Sequence, residues 1–159
     1  MSTPFHPFFT HFPIALLIVG IAFELLWLLR KQELFREMSF WMLLGGAAGA
    51  GLAVISGGWE EDRLQLSTTA HAAVESHETV GYITVWLMAT LFIWKLLRRN
   101  TMSVSENKVF IGAYSVAVIV MLYGGWLGGK LVYNHGVGVN IEEIKTENLR
   151  SEPVPHLKP

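Results

Sequence analysis

Four apolar stretches, each about as long as a membrane is thick and almost free of charge, dominate this chain. They cover residues 12–29, 38–59, 76–94 and 109–129; Glu24 is the one charge in the first, the second and fourth carry none, and the third carries none from Thr79 onward. Crossing about 30 Å of hydrocarbon at 1.5 Å per residue takes about 20 residues. A helix of a soluble bundle keeps a polar face, and these segments are apolar all round. Composition agrees, since only 16% of the 159 residues are charged, where a soluble domain averages about 25%. The expected fold is all-α: a four-helix transmembrane bundle, up-down-up-down, spanning residues 1–139 in a lipid bilayer. Residues 140–159, rich in Glu, Lys and Pro, read as a flexible polar tail.

Several function classes fall away at once. A net charge of −1 supplies no basic field for nucleic acid. The absence of Cys excludes disulfides, thiolate metal sites, iron–sulfur clusters, Cys nucleophiles and covalent c-type haem. No glycine-rich phosphate-binding motif and no Ser/His/Asp arrangement is present. An electron carrier or a subunit therefore fits better than a stand-alone enzyme.

Orientation follows from the basic residues. Residues 1–11 hold no Lys or Arg, and no Ala-x-Ala site follows the first apolar run, so that run reads as a span rather than a cleaved leader. The loop after the first span holds Arg30, Lys31 and Arg36, and the loop after the third holds Lys95, Arg98, Arg99 and Lys108. The opposite side offers Arg63 in the loop between Glu60 and Glu78, and in the tail Lys130, Lys145, Arg150 and Lys158, of which only Lys130 lies close to a span. The positive-inside rule places the basic loops in the cytoplasm and both termini outside, which for a bacterial inner membrane means the periplasm.

The chain also reads as a parallel internal repeat of two helix pairs. His6-x4-His11 precedes the first span and His71-x5-His77 the third; Ser56-Gly57-Gly58-Trp59 ends the second and Tyr123-Gly124-Gly125-Trp126 closes the fourth. Aligning His11 with His77 and Gly57 with Gly124 gives offsets of 66 and 67 residues. Two spans separate the copies, so both halves share one orientation, related by an axis along the membrane normal. Gly45-x3-Gly49, Gly124-x3-Gly128 and Gly125-x3-Gly129 are small-residue steps that let helices approach closely.

Histidines carry the functional argument. His6, His11, His71, His77 and His135 all fall at the outer ends of the spans, and none lies in a basic loop. Haem b needs only axial residues, most often His or Met, and cofactors of helical bundles sit between facing helices. Across the repeat axis, His11 and His77 are the expected axial pair, with Pro13 fixing the helix start just after His11. His6, His71 and His135 are substitutes or supporting groups. The competing reading is a Cu or Zn site from three or four of these histidines, with Asp62 or Glu78. It is less specific, because on a continuous helix His71 and His77 stand about 120° apart. Glu24, an acid inside a span, and Asp62 are candidates for a proton or quinol site.

The stretch His6-Pro7-Phe8-Phe9-Thr10-His11-Phe12-Pro13-Ile14-Ala15, Asp62 after the Gly-rich second span, His77-Glu78, and the run from Trp126 to Val139 containing Gly128-Gly129-Lys130-Leu131-Val132-Tyr133-Asn134-His135-Gly136-Val137-Gly138 together resemble one family. It is the bacterial four-span predicted membrane protein family, domain of unknown function number twenty-two thirty-one. The resemblance covers about residues 4 to 140. It implies histidines at one face with haem or metal binding, and makes His6, His11, His77 and His135 its candidate ligands.

The expected function is therefore a small b-type membrane cytochrome. It would carry electrons at the periplasmic face, exchanging them with quinol or a periplasmic redox protein. The alternatives are a periplasm-facing Cu or Zn binding protein, and a non-catalytic subunit whose glycine faces dock it as a homodimer or into a larger membrane complex.

Overall fold

The computed structural model describes residues 5–61 and 66–139. Four helices make up nearly all of them, with no strand: α1 (Phe5–Arg30), α2 (Glu33–Glu61), α3 (Thr68–Arg98) and α4 (Val104–His135). All four are long and apolar enough to cross a membrane, so the protein is a multi-pass membrane protein. Asp62 and the tail from residue 140 lie outside the described residues.

Each helix outruns its apolar segment, because polar residues at its ends continue the backbone bonding. The helix starts are written locally. Ser67 accepts from the Ala70 N–H at 3.3 Å and Ser103 from the Glu106 N–H at 3.1 Å, each satisfying a donor the helix cannot use itself. At the other end of α4, Gly136 adopts φ 63°. Its N–H donates to Val132 and the Val137 N–H to Leu131, a double bond pattern that a left-handed glycine allows. Contrary to the sequence expectation, α1 is already helical before His11. Pro13 does not start a helix after His11; α1 begins at Phe5 and runs through it. Proline there removes one backbone donor from the helix.

α1 packs on α2 and α4, and α3 on the same two, so α1 and α3 face each other across a diagonal. Leu17, Leu43, Met88, Phe110, Tyr114 and Ala117 form the centre, all fully buried. α1 and α2 approach closely because α2 is glycine-rich where they touch. A Cβ on Gly46 would lie 2.4 Å from Leu17 Cγ, one on Gly45 3.0 Å from Leu16, and one on Gly49 3.3 Å from Pro13. Outward, Leu29, Trp86, Leu97 and Tyr133 are strongly exposed. Only 22–39% of each apolar span is buried within the bundle. The remaining apolar surface requires a lipid bilayer to cover it.

Candidate functional site

At the end of the bundle where α1 and α3 begin, two of the five candidate histidines come together. The rings of His6 and His77 lie 6.0 Å apart between centroids, with planes at 88°. Each ring is held by a backbone carbonyl of the neighbouring helix: His6 Nδ1 lies 2.8 Å from Ala53 O, and His77 Nδ1 lies 3.0 Å from Gly124 O. Carbonyl oxygens only accept, so each Nδ1 carries the proton, and the lone pair of the neutral ring falls on Nε2. Ser56 Oγ stands 3.5 Å from His6 Nδ1. Glycines make room for both rings, since a Cβ on Gly57 would sit 3.1 Å from the His6 ring and one on Gly128 3.1 Å from the His77 ring. The two imidazoles border a cleft of about 100 Å³, partly open to the surroundings, with Ala50, Gly81, Thr84 and Gly125 in its wall.

The other candidate residues fall elsewhere. His11 is exposed on α1, because five residues along a helix turn it about 140° away from His6. His71 is exposed near the start of α3, and His135 ends α4 with its side chain exposed, about 16 Å along the helix from Gly124. Among the described residues no three His, Asp or Glu side chains are gathered for a metal ion. A site drawing on two histidines therefore matches the arrangement better than one drawing on three or four.

A family model described as a predicted membrane protein (DUF2231) matches residues 2–141, nearly the whole chain. The chain belongs to this family. No curated protein and no solved structure matches it.

In this DUF2231 member, a second polar cluster lies about 27 Å further along α1, eighteen residues beyond His6. Glu24 is fully buried and its Oε1 accepts from Lys95 Nζ of α3 at 2.5 Å and from Ser39 Oγ of α2 at 2.5 Å. Sequence reasoning counted Lys95 among the loop cations and did not single out Ser39 or Tyr114. Lys95 is instead inside α3 with no exposed surface. The pairings across the diagonal share one spacing in sequence. Glu24 and Lys95 stand 71 residues apart, and so do His6 and His77. Leu17 and Met88, Ser39 and Phe110, and Leu43 and Tyr114 share that spacing, and every one of these six is fully buried. His77 thus meets His6 at the same spacing at which Lys95 meets Glu24.

Proposed function

We propose that this protein is a small membrane haem protein that carries electrons at the outer face, with His6 and His77 as the axial ligands of one haem b. The observation that carries this reading is the paired geometry of the two imidazoles. Two imidazoles that would hold one iron must lie close enough for both to reach it. The separation here is 6.0 Å. Histidine ligands are normally oriented by a hydrogen bond from the other ring nitrogen, and the carbonyls of Ala53 and Gly124 fill that role. Haem, when bound, supplies one-electron redox chemistry. The chain's part is to hold the rings, wall the cleft with small apolar residues, and present its edge to quinol or a periplasmic redox protein.

The orientation belongs to the same proposal. Without Lys95, the cations Arg30, Lys31, Arg36, Arg98, Arg99 and Lys108 still cluster at one end of the bundle, which favours that end as cytoplasmic and both termini as periplasmic. Contacts between opposite helix ends, His6 with Ala53 and Glu24 with Ser39, favour an up-down course. The recurrent 71-residue spacing favours an ancestral duplication of a helix pair.

The test is an absorption spectrum of the full chain, purified in detergent after expression with haem supplied, oxidised and then dithionite-reduced, with metal analysis on the same sample. A Soret band with split α and β bands on reduction is expected, lost in His6→Ala and His77→Ala and kept in His11→Ala. A colourless protein overturns the haem reading; stoichiometric Cu or Zn would then identify a metal-binding protein, and neither metal nor haem a bare subunit.

A further inference from the structure

Glu24 is held through one carboxylate oxygen only. Oε1 takes both hydrogen bonds, from Lys95 and Ser39, while Oε2 is buried without a protein partner among the described residues. The hydroxyl of Tyr114 on α4 is buried and unpartnered in the same way. Leaving such groups unsatisfied costs about 1–3 kcal/mol each, more for a charged one.

The two groups share one place. Helical side chains lean toward the N-terminal turn, so Glu24 leans toward Gly20, one turn earlier on α1. The Tyr114 hydroxyl lies 2.5 Å from the position a Cβ on Gly20 would take. Glycine at 20 leaves the space into which that hydroxyl projects. A buried acceptor and a buried donor beside one turn, not bonded to each other, are both satisfied by a single water that accepts from Tyr114 and donates to Glu24 Oε2.

We propose that a resident water joins Tyr114 to the Glu24–Lys95 pair, and that this network takes up and releases one proton on the side of the basic loops. Toward the histidines the path is closed by the fully buried apolar side chains of Leu17, Met88 and Ala117. Toward the loops polar groups continue: Arg36 Nε and Nη2 and Asn107 Nδ2 are also buried without protein partners. The groups around Glu24 are Ser39 on α2, Lys95 on α3 and Tyr114 on α4, with Arg36 and Glu33 of α2 in electrostatic reach of Lys95. Uptake adds a proton from loop-side water to Glu24 Oε2 through the bridging water, at the expense of the ion pair with Lys95. No electron moves, and neither haem nor a histidine is required, so this inference stands or falls apart from the haem reading.

The experiment is infrared difference spectroscopy of the full chain in lipid nanodiscs without added haem, acidic minus neutral, in ordinary and ¹⁸O water. A protonated-carboxyl band is expected at acidic pH, shifted in Glu24→Asp, together with an ¹⁸O-sensitive water band that disappears in Tyr114→Phe. Tyr114→Phe leaves the ion pair intact and so keeps the test independent of folding defects at Glu24. Absence of a Glu24-dependent carboxyl band overturns the proton site, and a carboxyl band without the water band overturns the bridging water.

Discussion

Glu24 and Lys95 meet across the diagonal of the bundle as an ion pair whose side chains are both fully buried, Nζ to Oε1 at 2.5 Å. A buried pair gains Coulomb energy in a low dielectric and loses hydration of both ions, so its net worth is small, whereas removing one partner strands the other. Glu24→Gln and Lys95→Met should each destabilise the bundle by about 3–5 kcal/mol. The double substitution Glu24→Leu with Lys95→Met should recover most of that loss. Denaturant unfolding in detergent, followed by circular dichroism, measures all three. Ionic strength should barely change the wild-type value, because buried charges are poorly screened.

Gly20→Ala should be destabilising by about 1–3 kcal/mol through overpacking, since the new methyl would meet the Tyr114 hydroxyl at 2.5 Å. Combining it with Tyr114→Phe should restore much of the stability, because the clashing atom is gone. Thermal unfolding of the two single variants and the double variant gives the coupling directly; additive effects would refute the contact.

On α2 two glycines make an internal contrast. A Cβ at Gly46 would press on Leu17 at 2.4 Å, and one at Gly51 meets nothing within 4 Å. Gly46→Ala should therefore cost about 1–3 kcal/mol. Gly51→Ala should be neutral or stabilising by up to about 1 kcal/mol, the helix preference for alanine. The same unfolding assay compares them.

The histidine cleft offers a matched pair of controls. Gly57→Ala and Gly128→Ala each place a methyl 3.1 Å from a histidine ring, whereas Gly58 and Gly129 face nothing within 4 Å. With haem bound, the first two substitutions should shift the reduced spectrum and raise haem loss to apomyoglobin, and Gly58→Ala and Gly129→Ala should leave both unchanged. Equal effects at all four positions would argue against ligation by His6 and His77.

Most of the architecture was legible in the sequence because its cause is local and one-dimensional: a segment apolar on every side, with charge only at its ends, has a single stable environment. That histidines lie toward the helix ends was legible for the same reason, from span ends alone. Which histidines meet was not. His6-x4-His11 puts two candidates on one helix, and only the azimuth of α1 against α2 decides that His6 turns inward onto Ala53 while His11 turns out. Pro13 misled because it reads as a helix start and sits in a helix interior. Lys95 misled more instructively. Beside Arg98 and Arg99 it looks like one more loop cation, and only the carboxylate presented from α1 explains its burial.

The opposite signs of Glu24 and Lys95 bear on how the two halves of the chain can be used. Two copies of the α1–α2 hairpin, set against each other as the halves are set here, would bring carboxylate against carboxylate in a membrane interior. Two copies of the α3–α4 hairpin would bring ammonium against ammonium. Neither hairpin is a competent partner for itself, while each is the right partner for the other. Produced as separate polypeptides, the two pieces would assemble only as a mixed species, and mispairing between nascent chains is penalised before any loop connects the halves.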